Sequence, residues 1–182
     1  IAGSLKKGIH TVNCGESGLC ARLFSPILAL SSDEILLNGR GSLLRRPLNM
    51  IGDALNGLGA SCSGDLLPLS IRGPLRGGRI ALDGSLSSQL ITGLLTALPR
   101  CDSDSILEVR NLKSKPYIDM TLSVLEAFGI RFTHHQYETF RIPGHQSYQA
   151  CDYTVEGDWS GASCWLAAKT FAGDFEILGL NP

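Results

Sequence analysis

The sequence predicts an α/β fold made of repeated βαβαββ units with buried helices. Two markers recur with one period, and the helices they introduce are apolar on more than one face. The first marker is a glycine-led polar turn before an apolar run: Gly15-Glu16-Ser17-Gly18 before the run to Leu30, Gly84-Ser85 before the run to Leu98, and Gly157-Asp158-Trp159-Ser160 before the run to Phe171. The second is a basic residue and a proline, Arg46-Pro47 and Lys115-Pro116. Glycines 15, 84 and 157 stand 69 and 73 positions apart, and prolines 47 and 116 stand 69 apart. Independent markers with one spacing define an internal repeat of about 70 residues.

Each element follows from local chemistry. In the first unit a short strand at His10–Asn13 leads to a helix over about 17–30, then a strand at Glu34–Leu37. Leu48, Ile51, Leu55 and Leu58 recur at helical spacing, so 47–58 reads as a helix opened by Pro47 and closed by Gly59. Short strands at 60–63 and 69–72 complete the unit. The second unit repeats this grammar: strand 79–82, helix 87–98 ending near Pro99, strand 105–109, helix 116–128 closed by Gly129, and strands at 130–133 and 139–142. The third begins with a strand at 153–156, a helix at 159–171 and a strand at 174–178. Leu90, Ile91, Leu94, Leu95, Ala97 and Leu98 leave little polar surface on their helix, and Trp165, Leu166, Ala167 and Ala168 behave alike, so both are expected to be buried.

Composition sets bounds. The chain has 182 residues, is 43% apolar and carries a net charge of −1, which argues against a dedicated nucleic-acid binder. No run of about 18 apolar residues suits a membrane helix. The six cysteines (14, 20, 62, 101, 151 and 164) form no C-x-x-C pair and are expected to be reduced thiols, as in a cytoplasmic protein. Histidines 10, 134, 135 and 145 lack zinc spacing, and His134-His135 suits a strand edge or turn. The third unit stops early and the start at Ile1 is abrupt, so the repeat predicts a piece of a longer protein.

The chemistry concentrates at residues 82–89, Leu-Asp-Gly-Ser-Leu-Ser-Ser-Gln. A strand ends at a glycine, two serines follow, and an apolar helix begins. Orphan backbone N–H groups, hydroxyls and the positive end of a helix dipole would meet there, as a phosphate requires. Plain N-capping by serine is the competing explanation.

Three motifs fall in order: residues 83–89, Ser114-Lys115-Pro116-Tyr117-Ile118-Asp119, and Glu156-Gly157-Asp158-Trp159-Ser160. With Gly15 to Arg22 and Arg45-Arg46-Pro47, they make nearly the whole chain resemble the 5-enolpyruvylshikimate-3-phosphate synthases. That resemblance implies transfer of the enolpyruvyl group of phosphoenolpyruvate to the 5-hydroxyl of shikimate 3-phosphate, a step of aromatic amino-acid synthesis, without cofactor or metal. It implies lobes of βαβαββ units with helices inside, an inside-out α/β barrel. Residues 1–155 would be two units of one lobe and 156–182 the start of the other. It further implies a monomeric parent. From its likeness to the two preceding helices, helix 159–171 of the isolated chain is expected either to dock into the place of the absent unit or to pair with a second copy.

By the same resemblance, Ser87, Ser88, Gln89, Ser114 and Tyr117 would bind shikimate 3-phosphate, and Gly18, Arg46 and Gln89 would bind phosphoenolpyruvate. Arg22 is expected to shape the glycine loop from behind. Glu16 and Leu19 depart from the residues common in the family, Asn and Thr; a carboxylate there repels a trianion unless paired or turned away. The departures bear on glyphosate, which competes at this position in the family. The catalytic base and acid are expected outside this chain, since family members take them from an N-terminal Lys-Ser segment and from the other lobe. Alternatives are the related transferase acting on UDP-N-acetylglucosamine, whose reactive loop cysteine neither Cys14 nor Cys20 matches in context, a non-catalytic phosphate-binding module, and an RNA-end-processing enzyme with a similar repeat.

Overall fold

The computed structural model describes residues 10–85 and 88–180, which divide into two compact units, 1–149 and 150–182. The first contains two copies of one motif. Copy one runs β1 (His10–Asn13), α1 (Gly18–Leu28), β2 (Glu34–Asn38), a 3-10 turn (Gly41–Arg45), α2 (Asn49–Gly57), β3 (Ser61–Ser63) and β4 (Leu69–Arg72). Copy two runs β5 (Gly78–Asp83), α3 (Ser88–Ala97), a 3-10 turn (Leu98–Arg100), β6 (Ser105–Arg110), α4 (Lys115–Ala127), β7 (Thr133–His135) and β8 (Thr139–Ile142). α1 and α3 start at residues 18 and 88, β4 and β8 at 69 and 139, so the 70-residue repeat is present in three dimensions.

The sheets confirm the copying. Their strand orders are β1-β2-β4-β3 and β5-β6-β8-β7. In each, the first pair is parallel around a helix, and the other pairs are antiparallel. Alternate residues of β2, β4, β6 and β8 are buried, so each sheet turns one face to the core. Ile35, Leu37, Leu69 and Ile71 of one sheet and Leu107, Phe140 and Ile142 of the other are almost wholly buried. α3 is enclosed as expected: Leu90, Ile91, Gly93, Leu94, Leu95 and Ala97 are all buried. It packs tightly on α1, where a methyl on Gly93 would lie 2.4 Å from the Leu23 carbonyl oxygen.

Four expectations change. Pro47 does not open α2. Arg46, as the residue before a proline, is extended (φ −88°, ψ 125°), and Leu48 donates its N–H to the Asp65 carbonyl at 2.8 Å, so the helix begins at Asn49. The apolar face of Leu48, Ile51, Leu55 and Leu58 is nonetheless buried. The strand expected at 130–133 falls instead at Thr133–His135, because its antiparallel register to β8 pairs Thr133 with Arg141 and His135 with Thr139. His134 and His135 thus lie on an edge strand.

The other two changes concern the second unit, whose helix is α5 (Trp159–Ala172). Segments 153–156 and 174–178 are not strands; among the described residues no ladder pairs them, and an unpaired strand does not hold. α5 is not buried: Trp165 is 64% exposed and Phe171 93%, and only Ala162 is covered. Among the described residues, this unit holds one helix and no sheet against which to enclose it. No described helix is long and apolar enough to cross a membrane.

Candidate anion-binding site

The two copies place equivalent turns beside one another. At the end of β1, the Asn13 side-chain oxygen accepts the Gly15 N–H at 2.8 Å; at the end of β5, the Asp83 carboxylate accepts the Ser85 N–H at 2.9 Å. Asp158 accepts the Ser160 N–H at 2.9 Å ahead of α5. The third marker of the repeat therefore keeps its local geometry where its sheet is missing.

Ser17 caps α1, its hydroxyl accepting the Cys20 N–H at 3.1 Å. Ser114, at the N-cap of α4, makes no capping bond with its side chain. Ser87 lies outside the described residues. The first turns of α1, α3 and α4 meet at one cavity of about 480 Å³, lined by Leu19 and Leu23, by Ser88, Gln89 and Thr92, and by Ser114, Tyr117, Met120 and Thr121. Of the expected shikimate-phosphate residues, Ser88, Gln89, Ser114 and Tyr117 are thus brought together. Helix N-termini direct donors and positive dipole ends at such a cavity. The Tyr117 carbonyl accepts the Thr121 hydroxyl at 2.8 Å, and Thr121 meets Thr92 at 3.0 Å, tying α4 to α3 below the cavity.

The second cluster adjoins the first through Gln89. A methyl on Gly18 would lie 2.7 Å from Nη1 of Arg22 and 3.5 Å from Nη1 of Arg46, so both guanidinium groups crowd the bare face of that glycine. Arg22 donates from Nη1 to the Gln89 side-chain oxygen at 3.4 Å, and Arg46 reaches the Ser42 hydroxyl at 3.5 Å. Arg22 Nε is buried without a hydrogen-bond partner among the described residues. Burial first, then the Arg46 charge, lower the Arg22 pKa from its ordinary value. Two neighbouring guanidinium groups with unspent donors have the chemistry to hold an anion.

Gly18, Arg46 and Gln89 are therefore grouped, as expected from sequence. Arg22, expected to shape the glycine loop from behind, lies one helical turn after Gly18 and meets both Gly18 and Gln89. Glu16 points at Gly41: a methyl there would sit 2.5 Å from the Glu16 carboxyl carbon, whereas the nearest side chains to a methyl on Gly18 are the arginines.

The fold and site define an α/β repeat protein in which a cavity at helix N-termini adjoins a pair of arginines. The sequence model of EPSP synthase (3-phosphoshikimate 1-carboxyvinyltransferase) matches residues 2–180. The chain belongs to this family. It is 37% identical to the 3-phosphoshikimate 1-carboxyvinyltransferase of Clostridium acetobutylicum over 174 residues, covering 93% of this chain and 41% of that protein. It is 41% identical to the enzyme of that name from Yersinia ruckeri over 167 residues, covering 87% of this chain and 38% of that one. The structure of EPSP synthase from Acinetobacter baumannii superposes with a TM-score of 0.71 at 25% identity, over 85% of this chain and 35% of that one. The chain spans about two fifths of the length of the curated relatives it matches.

Proposed function

We propose that the protein carrying this chain transfers the enolpyruvyl (1-carboxyvinyl) group of phosphoenolpyruvate to the 5-hydroxyl of shikimate 3-phosphate, releasing inorganic phosphate. This chain supplies the seats for both anions. One observation carries the reading: the first turns of α1, α3 and α4 share a cavity next to the Arg22–Arg46 pair, with Gln89 in both.

Shikimate 3-phosphate takes the cavity. Ser88 and Ser114, with Ser87, hold its phosphate against the α3 and α4 termini, and Tyr117 closes the rim. Phosphoenolpyruvate takes the arginine seat, approaching the backbone at Gly18, which has no Cβ to obstruct it, and accepting hydrogen bonds from Arg22 and Arg46. Gln89 offers a donor and an acceptor between the two. Glyphosate competes at the arginine seat.

The reaction needs a base for the 5-hydroxyl and an acid for the methylene carbon. By the family resemblance, these groups come from an N-terminal Lys-Ser segment and from the other lobe. Residues 1–155 are two βαβαββ units of one lobe, and the chain passes toward the other lobe near residue 156. The protein acts in the cytoplasm as a monomer. The exposed apolar faces of α5 favour self-association of the isolated chain.

Calorimetric titration of the 182-residue chain tests the reading. Shikimate 3-phosphate should bind more tightly than shikimate or UDP-N-acetylglucosamine, and turnover by the isolated chain should be absent. Ser88→Ala should remove a charge-assisted hydrogen bond of about 1.5–3 kcal/mol, weakening shikimate 3-phosphate roughly 10- to 150-fold and leaving shikimate unchanged. Equal losses for both ligands would refute the phosphate seat, and preference for the UDP-sugar would favour the related transferase.

A further inference from the structure

Cys14 and Cys20 enclose the glycine loop, and nothing in the proposed chemistry uses them. Cys14 follows β1 and is buried; Cys20 lies in the first turn of α1, half-buried against the same core. Ser17 ties their backbones to one point, donating its N–H to the Cys14 carbonyl at 3.0 Å and accepting the Cys20 N–H on its hydroxyl at 3.1 Å. The loop between them is anchored on its other side by the Arg40 N–H, which donates to the Gly15 carbonyl at 2.8 Å. The two thiols also interact side chain to side chain.

We propose that Cys14 and Cys20 form an oxidation-sensitive pair, closing a disulfide across Gly15–Leu19 that disables the arginine seat. A peroxide is the oxidant. The half-buried Cys20 sulfur takes one oxygen of the peroxide, giving a sulfenic acid and water. Cys14 then displaces that hydroxyl; its proton leaves with it as a second water, and the Sγ–Sγ bond forms. Two electrons pass from the thiols to the peroxide. Cys14 takes the second role because it is buried while Cys20 is only half-buried, so the peroxide meets Cys20 first. The bond draws the first turn of α1 toward the end of β1, which moves Gly18 and, one turn later, Arg22. This consequence rests on the anion seat; formation of the bond does not.

The test uses the full chain and hydrogen peroxide. Trypsin releases both cysteines, and no others, in the peptide of residues 8–22. After oxidation and alkylation in denaturant, that peptide should lose two hydrogens and resist alkylation until reduced. Cys14→Ser should leave Cys20 as a sulfenic acid that dimedone traps; Cys20→Ser should leave Cys14 unoxidised. Oxidised wild-type chain should bind inorganic phosphate at least tenfold more weakly, with recovery on adding dithiothreitol. Sulfinic acid at Cys20 with Cys14 still alkylated would overturn the pair, and a disulfide with unchanged phosphate affinity would overturn the switch. If the reduced chain binds no phosphate, the anion-seat reading fails, while peptide mapping still decides the disulfide.

Discussion

Gly18→Ala isolates the arginine seat from the rest of the fold. The added methyl would lie 2.7 Å from Arg22 Nη1, well inside contact distance, and 3.5 Å from Arg46 Nη1. The obstructing atom is the end of a flexible side chain, so Arg22 can swing aside and the helix is not forced open. Gly18 is the first residue of α1 and alanine is the better helix former, so stability should change by less than about 1 kcal/mol. Binding should not escape. The methyl occupies the face from which an anion would reach Gly18, and the displaced guanidinium loses its aim. Loss of one charge-assisted hydrogen bond, about 1.5–3 kcal/mol, weakens phosphate or phosphoenolpyruvate roughly 10- to 150-fold. Gly15→Ala is the contrasting control. A methyl there meets nothing within 4 Å but sits at φ +58°, so it should cost about 1–2 kcal/mol of stability and leave the arginines in place. Calorimetry for binding and thermal melting for stability separate the two. A Gly18→Ala chain that binds phosphate as wild type does would refute the reasoning, and so would one that unfolds.

Three other outcomes follow from packing and protonation. Gly93→Ala should destabilise by about 1–3 kcal/mol, because its methyl meets the Leu23 carbonyl at 2.4 Å and α1 cannot yield without moving the site; a melting temperature at or above wild type would contradict this. Gly52→Ala in α2 should stabilise by about 0.5–1 kcal/mol, since the only neighbour of its methyl is Asn56 Nδ2 at 4.0 Å, and a lowered melting temperature would show hidden crowding. The Asp83 carboxyl is held below its usual 3.8, first by the Ser85 N–H and then by the Ser85 side chain. Its contribution is therefore present above pH 3.8 and lost as the pH falls through the lower folded value. Asp83→Asn should flatten that part of the acid-unfolding curve, and an unchanged slope would exclude the link.

Much of the fold was legible because it rests on repeated local signals. Turn chemistry before α1, α3 and α5 and the apolar positions of α2 and α3 survive in the structure, since each is decided within a few residues. What failed was decided by distant partners. Pro47 reads as a helix start, but the Leu48 amide is claimed by Asp65. The register of β7 depends on β8, and segments 153–156 and 174–178 have β-like sequence without a ladder to join. α5 has the composition of an enclosed helix, yet no sheet among the described residues of its unit covers it. At the site, Ser88, Gln89, Ser114 and Tyr117 were named through the family motifs, and their meeting at one cavity depends on how α1, α3 and α4 pack. The nearness of Arg22 to Arg46 and Gln89 likewise arises from contacts far apart in sequence.

A crystal of the 182-residue chain grown with shikimate 3-phosphate addresses the shared cavity directly. The account predicts density for the ester's phosphate at the first turns of α3 and α4, within hydrogen-bonding distance of the Ser88 and Ser114 hydroxyls. The ester found elsewhere, or that cavity holding only solvent at saturating ligand, would contradict it.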